Sequence, residues 1–428
     1  MATVSIVQFG ISALAFFYAV KVLKTGRSSF LAIYVIVIIS FDSLGLALAP
    51  YLPLESITYL NNPLFLIRGI EAPMFLRQCS SHWLFLLLAL LGLRWELSWP
   101  KTSKKKHIVP SGLWGTVFFI FGVLLSVKYY VNGPGWILLR ATTLGFSSTS
   151  EAIAHRVEGY LMAGFGQGSF MASVAAYVVF PLSAALVIQK KNLSRFLIFA
   201  VAAAASLSYA LQTRQKAPLL WTQLCYIILF LQVLKGMGPK WNLKRWLVPS
   251  AALFFVFSVL AFEVNFGQTL SASVQGFFYR LFIIPGATET NYFVVFPESI
   301  AYRGLGRLLS IPLGRIAMSD AVSVYDTARA ATGDAFSANA SFLAVAWSAA
   351  GYLSVLLISI LLIATLLLLD RAFMQMDKRL FVIALALSPA AMITIVSDGL
   401  TTHIGRGGLI VPGVLFVLAA ISSFRLRA

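Results

Sequence analysis

Residues 352–369 read YLSVLLISILLIATLLLL, a run of eighteen residues without one charged side chain. An α-helix needs about 20 apolar residues to cross the hydrocarbon layer of a bilayer. Comparable runs recur along the chain, in which 59% of the residues are hydrophobic and only 11% are charged. A soluble fold of this length could not bury so much apolar surface, so a lipid bilayer is predicted to be the solvent.

These runs predict an all-α fold, a polytopic membrane helix bundle of about 11 transmembrane helices in a single integral membrane domain over 1–428. The run near 341–369 is long enough to include a turn outside the membrane. No lysine or arginine precedes the first apolar run and no small-residue cleavage site follows it, which favours a membrane helix over a removable signal peptide. The predicted spans are 4–22, 30–50, 78–95, 111–131, 169–189, 195–211, 218–234, 246–264, 341–369, 380–397 and 408–424.

The basic residues indicate an orientation. Twenty of the 33 Lys and Arg residues lie on one set of alternate connections, which the positive-inside rule assigns to the cytoplasm. This places the N-terminus outside and the C-terminus in the cytoplasm, with long outer loops at 51–77, 132–168 and 265–340. Because the net charge of +18 is divided among short clusters between apolar runs, no nucleic acid is expected as a partner. The cytoplasmic clusters are 21–27, 94–106, 190–195, 235–245, 371–379 and 425–427.

The two faces also differ in the kind of cation. Of the 13 basic residues on the outer side, 11 are arginine, whereas 12 of the 20 cytoplasmic ones are lysine. Arginine presents a planar fork of donors that fits phosphate and carboxylate. Any single outer arginine could equally pair with a nearby acidic residue, but the bias as a whole favours an anionic ligand on this side.

Two outer connections hold candidate anion-binding residues. Arg214 and Lys216 lie in LQTRQKAPLLW between two short predicted helices, where they would face lipid phosphates or a phosphorylated ligand, or else snorkel to headgroups. In loop 265–340, Arg280 follows three aromatic residues, so it should be held against apolar surface and require an anion. Arg303 and Tyr292 lie further along this loop. The tyrosine offers stacking and a hydroxyl to a sugar, although interfacial aromatics also serve as membrane anchors.

A third connection, SDGLTTHIGRGG, contains Asp398, His403 and Arg406 within nine residues. Such a group could supply a general base beside a phosphate ligand, or the carboxylate and the guanidinium could simply pair. Glu158, in the second outer loop, is a further candidate base.

Asp42, near the middle of the second span, must face the bundle interior, where it serves packing or catalysis. It is expected to be almost the only charge at that depth. No metal site and no cofactor are predicted, because no cluster has metal-ligand spacing and no nucleotide-binding motif occurs.

Four segments together resemble Wzy-type oligosaccharide repeat-unit polymerases, the polymerases of bacterial O-antigen, capsule and exopolysaccharide. The segments are LQTRQKAPLL, the loop pattern YR…P…Y…FP, SANASFLAVAWSAAGYLSVLLISILL and SDGLTTHIGRGG, and the resemblance covers roughly residues 150–420. Some family members have an arginine and a glycine separated by ten residues, whereas here Gln167, between Gly166 and Gly168, stands at that place after Arg156. The resemblance implies a metal-independent fold similar to C-type glycosyltransferases, in the bacterial inner (cytoplasmic) membrane, with the active site facing the periplasm.

The resemblance further implies an enzyme that transfers a growing glycan from undecaprenyl pyrophosphate onto a new lipid-linked repeat unit. Arg214, Lys216, Arg280 and Arg406 would then bind the pyrophosphates, and Asp398 or His403, with Glu158 behind them, would act as the base. The expected partners are undecaprenyl-pyrophosphate-linked glycans and membrane lipids, together with a chain-length regulator and a flippase. An O-antigen ligase that uses the same donor, or a flippase or transporter of lipid-linked oligosaccharide, remains an alternative.

Overall fold

The computed structural model describes residues 1–25, 29–51, 72–99, 282–305 and 340–374, and ten further positions (193, 197, 200, 271, 274, 278, 327 and 329–331). The chain divides into two compact units, and all five described segments belong to the first. Every regular element within these segments is helical, and none is a strand. The chain is therefore a helical protein in its described part, as predicted, while the single membrane domain stays a prediction.

Seven α-helices occur in the described segments, and we number them in chain order. Four stretches are long and apolar enough to cross a membrane: Ala2–Lys24, Phe30–Leu48, Ala72–Ser98 and Tyr352–Met374. They correspond to four predicted spans. The other seven spans lie outside the described residues, apart from positions 197 and 200 in the span 195–211, so the number 11 and the orientation remain predictions. The helices are α1 (Ala2–Lys24), α2 (Phe30–Ile38), α3 (Leu44–Leu48), α4 (Ala72–Ser98), α5 (Ile284–Val295), α6 (Phe342–Ala350) and α7 (Tyr352–Met374).

The first spanning helix, α1, turns its bulky apolar side chains outward and its small or polar ones inward. In α1, Ser5, Ser12 and Ala19 lie on the buried stripe, and Phe9 and Phe17 are exposed. Small residues let neighbouring helices approach closely in a bilayer, where lipid is as apolar as leucine. The main neighbour of α1 is α4. This distribution is what a helix surrounded by lipid requires.

The turn expected within 341–369 occurs at Gly351, which separates α6 from α7. Gly351 has φ +61°, a left-handed conformation that glycine adopts without a steric penalty. Ser341 caps the start of α6 by accepting a hydrogen bond from the backbone N–H of Leu343 at 3.2 Å. One long apolar run therefore folds as a short buried helix followed by a spanning one.

Outer loop 265–340 contributes α5, which packs against α3, α4 and α6. Two glycines allow this contact. A Cβ at Gly45 would overlap the carbonyl oxygen of Phe282, and a Cβ at Gly286 would lie 2.9 Å from the backbone oxygen of Asp42. This part of the loop is thus a short helix that is packed into the bundle.

One end of the bundle is held together by buried polar groups. The carboxylate of Asp370, in α7, accepts hydrogen bonds from the backbone N–H groups of Phe30 and Leu31 at the start of α2. Ser29 caps the same helix and donates to Glu96, in α4, at 2.8 Å. Because the first N–H groups of a helix have no partner within it, Asp370 completes α2 from a distant part of the chain.

Candidate functional site

Asp42, His82 and Glu289 form the candidate site, and each comes from a different segment. Asp42 and Ser43 belong to a π-helical turn, Ile39–Ser43, that joins α2 to α3. Turns of this kind add a residue to a helix and often occur at functional sites. His82 comes from α4, and Glu289 comes from the middle of α5. The site therefore exists only because α5 packs into the bundle.

The three side chains are fully buried and converge on one point. Nε2 of His82 lies 2.8 Å from Oε2 of Glu289 and 3.9 Å from Oδ2 of Asp42. One nitrogen or oxygen atom from each residue lies within 4.8 Å of those of the other two. On the other side of the imidazole ring, Ser43 Oγ lies 3.1 Å from Nδ1. The histidine is thus held at both nitrogens.

Glu289 is oriented by further polar side chains. Ser341, at the start of α6, donates a hydrogen bond to its Oε1. Gln78 lies four residues before His82, on the same face of α4. Its Nε2 is 3.4 Å from Oε2 of Glu289 and donates to the carbonyl oxygen of Gly286 at 2.8 Å. Thr290 donates to Oε1 of Gln78 at 2.9 Å. The amide of Gln78 therefore links α4 to two points of α5.

Asp42 differs from His82 and Glu289 because its carboxylate has no hydrogen-bond partner among the described residues. It is fully buried, and within the described segments neither of its carboxylate oxygens accepts a hydrogen bond. A buried polar group without a hydrogen bond costs about 1–3 kcal/mol, and a charged one costs more. The position of Asp42 thus demands a proton or a cation beside it.

Burial also governs the charge of Glu289. Removal from water raises the pKa of this carboxyl to about 8, although hydrogen bonding with Gln78 and Ser341 acts in the opposite direction. Near neutral pH the group therefore carries a proton unless a positive charge is brought close to it. Chemically, the cluster can share a proton between Glu289 and His82, or it can bind a cation through its nitrogen and oxygen atoms.

Most residues predicted as a site lie outside the described residues, and only Tyr292 and Arg303 can be placed. Tyr292 is fully buried and stacks on Phe296, with ring centroids 6.2 Å apart, so it presents no exposed face to a sugar. Arg303 is exposed, and its backbone N–H donates to the carbonyl of Ser348 at 3.1 Å. Neither belongs to the Asp–His–Glu cluster. The predicted residues that fall outside are Glu158, Arg214, Lys216, Arg280, Asp398, His403 and Arg406.

For each outer arginine, the alternatives are an ion pair with a nearby acidic residue and contact with an anionic ligand. Arg77, near the outer end of α4 in the predicted orientation, forms an ion pair with Glu298, and both side chains are exposed. Pairing with an acidic residue therefore accounts for Arg77 without a ligand. It says nothing about Arg214 or Arg280.

Sequence reasoning identified Asp42 as an interior residue but missed its partners. The expectation that Asp42 is almost the only charge at its depth is wrong, because His82 and Glu289 lie beside it. A local signal was present in α4, where residues 78–82 read QCSSH inside an otherwise apolar helix. Polar side chains within a span face the bundle interior by default. No comparable signal marks Glu289, which lies in a loop with several other acidic residues.

Lipid-facing apolar side chains, four helices of spanning length and a polar interior together define a helical membrane protein. No family model matches the chain, and neither the curated proteins nor the solved structures contain a match. Any assignment beyond this class must therefore rest on the residues themselves.

Proposed function

We propose that the chain is a glycosyltransferase that polymerises undecaprenyl-pyrophosphate-linked oligosaccharide repeat units at the outer face of the bacterial inner membrane. The observation that carries the proposal is the packing of α5. A loop that only connected two spans would leave its polar residues in water, yet this one buries Thr288, Glu289 and Asn291 against spanning helices. The part of loop 265–340 that forms α5 is therefore packed into the bundle, as a lipid-linked substrate site built from this loop would require.

The aromatic residues around Arg280 support its proposed role. Phe278 stacks on Phe282 with ring centroids 5.9 Å apart, and Phe282 stacks on Phe41 with centroids 5.5 Å apart. Such pairs contribute about 0.5–1.5 kcal/mol each beyond the area they bury. The residues two positions before and after Arg280 are thus anchored to the second spanning segment.

In the proposed reaction, the glycan leaves undecaprenyl pyrophosphate and joins a hydroxyl of a new lipid-linked repeat. Negative charge accumulates on the departing pyrophosphate, and Arg214, Lys216, Arg280 and Arg406 are proposed to stabilise it. One such donor in a site shielded from water contributes about 3–4 kcal/mol to the transition state. The acceptor hydroxyl needs a base, for which Asp398, His403 and Glu158 are the candidates. His82 and Glu289 have no exposed surface, so we assign them no part in this step.

The test replaces the arginines and examines surface polysaccharide on a gel. Arg280→Ala and Arg214→Ala should each abolish the ladder of long chains, and the lysine variants should be poorly active if the contact is bidentate. Arg94→Ala is the matched control, because it removes the same charge from an exposed position at the cytoplasmic end of α4 in the predicted orientation. Normal long chains in both alanine variants would refute the proposal. Loss of attachment to the lipid A core with polymer length unchanged would instead indicate an O-antigen ligase.

A transporter of lipid-linked oligosaccharide is the second candidate, and the buried cluster favours it. Carboxylates and histidines inside a bundle commonly mark ion or proton pathways. Deletion of the gene distinguishes the two functions by where the lipid-linked repeat accumulates. A polymerase defect leaves single repeats at the periplasmic face, accessible to added glycosidase in spheroplasts, whereas a transport defect leaves them at the cytoplasmic face and protected.

A further inference from the structure

We propose that Asp42, His82 and Glu289 hold one divalent metal ion, of the Zn²⁺ or Mn²⁺ type, between α3, α4 and α5. The three residues place one nitrogen and two carboxylate groups around a common point, with the ligand atoms within 4.8 Å of one another. An imidazole with two carboxylates suits these ions, whereas a site made only of oxygen atoms would suit Mg²⁺ or Ca²⁺.

The spacing of the atoms agrees with a common ion. Ligand atoms that each lie about 2.1 Å from a metal are separated from one another by about 3–3.5 Å. Nε2 of His82 and Oε2 of Glu289 are 2.8 Å apart, and Oδ2 of Asp42 is 3.9 Å from the same nitrogen. The remaining pair, Asp42 and Glu289, lies within 4.8 Å, so rotation of the Asp42 side chain is needed to bring all three to metal-ligand spacing.

The outer contacts of the cluster are those that metal ligands usually have. A histidine that binds a metal through one nitrogen normally hydrogen-bonds through the other. Ser43 contacts Nδ1 of His82, so the nitrogen that would bind the ion is Nε2, which faces Oε2 of Glu289 at 2.8 Å. Ser341 occupies Oε1 of Glu289 in the same way. Both ligands are therefore oriented from behind, toward the point that they share with Asp42.

Charge and hydrogen bonding supply a second, independent argument. Asp42 is fully buried, and no described residue donates a hydrogen bond to either of its oxygens. His82 and Glu289, by contrast, both have hydrogen-bond partners. With both carboxyl groups ionised and the imidazole neutral, the cluster would carry a charge of −2, which the interior of a bundle accommodates only together with a cation. A divalent cation brings the cluster to neutrality and gives Asp42 the partner that it lacks.

The proposed ion is structural. It would join the second spanning segment, α4 and the outer-loop helix α5, which are far apart in the sequence, and so hold the loop in the bundle. This inference does not depend on the proposed polymerase activity, and the reaction proposed above uses no metal. Its failure and the failure of the polymerase assignment are separately visible, because its test requires no glycan substrate.

The test measures metal content in the full-length chain, purified in detergent without a histidine tag. The protein is depleted with EDTA, loaded with Zn²⁺ or Mn²⁺ alone, desalted and analysed by mass spectrometry of the elements. We expect about one ion per chain in the unmodified protein and a large loss in Asp42→Asn and Glu289→Gln. Glu96→Gln is the matched control, since it neutralises another fully buried carboxyl on α4 and should retain the ion.

Two results would overturn the proposal: no stoichiometric ion in the unmodified protein after loading with either metal, or undiminished binding in Asp42→Asn. If that variant cannot be purified, X-ray absorption of the loaded unmodified protein decides the question. One imidazole nitrogen with oxygen neighbours supports the site, whereas sulfur or several imidazoles would refute it. Ser43→Ala should weaken binding about tenfold through loss of the contact that positions His82.

Discussion

Replacing Gly45 with alanine tests the close approach of α5 to α3. The added methyl group would overlap the backbone carbonyl oxygen of Phe282 and touch Cα of Ile283, and neither atom can rotate away. Overpacking of this kind costs about 1–3 kcal/mol. Moving α5 outward would also stretch the 2.8 Å hydrogen bond from Gln78 to Gly286, and a buried bond lost in this way costs about 1–3 kcal/mol more. We therefore expect Gly45→Ala to destabilise the protein by about 2–6 kcal/mol.

The buried thiol of Cys79 provides the assay. The chain has two cysteines, so in a Cys225→Ser background a thiol-reactive dye labels only Cys79, which is fully buried on α4. Heating the detergent-solubilised protein with the dye then reports opening of this region. Gly10→Ala is the matched control, because its added methyl meets no atom within 4 Å. Equal labelling temperatures for Gly45→Ala and Gly10→Ala would refute the reasoning.

A second alanine in the same contact provides a further check. A Cβ at Gly286 would lie 2.9 Å from the backbone of both Asp42 and Leu46, so Gly286→Ala forces the same two helices apart from the opposite side. Once Gly45→Ala has separated them, Gly286→Ala should cost little more. The two effects on the labelling temperature should therefore be clearly less than additive.

Three further substitutions have expected outcomes in the same labelling assay. Asp370→Ala leaves two buried N–H groups at the start of α2 without their acceptor, so it should lower stability by about 2–4 kcal/mol; an unchanged labelling temperature would contradict the proposed link. Trp347→Phe removes the 3.0 Å hydrogen bond from Nε1 to the carbonyl of Phe296, with an expected cost of about 1 kcal/mol. Arg77→Ala removes an exposed ion pair with Glu298 and should change stability by less than about 1 kcal/mol, so a larger loss would show that Arg77 has another role.

The sequence predicts the spanning helices well where hydropathy alone decides. The runs 4–22 and 30–50 match α1 and the second spanning segment closely, because their side chains are almost uniformly apolar. Helix α4 begins at Ala72, whereas its predicted span begins six residues later. The prediction placed the start too late because Arg77 and Gln78 lower the local hydropathy. Both are in fact accommodated, one by an ion pair and the other by hydrogen bonds inside the bundle. Hydropathy measures the cost of polar groups in lipid and carries no information about their partners.

The candidate site could be predicted only in part. A carboxylate in the middle of an apolar run indicates the bundle interior, and Asp42 was recognised on that ground. Glu289 could not be connected with it, because the contact depends on an outer-loop helix passing between spanning helices. That path is permitted by the absence of side chains at Gly45 and Gly286, a steric relation between two distant backbones that no local pattern reveals.

The link between Asp370 and the start of α2 has a consequence for biogenesis. These groups are separated by 340 residues, so at about 5–20 residues per second roughly 20–70 s pass between their emergence from the ribosome. During that interval the N–H groups of Phe30 and Leu31 lack their acceptor from α7. We therefore expect the start of α2 to remain in a hydrated environment, such as the membrane interface or the insertion machinery, until α7 has been synthesised. Nascent chains truncated before Asp370 should accordingly remain accessible to membrane quality-control proteases, and release beyond that residue should protect them.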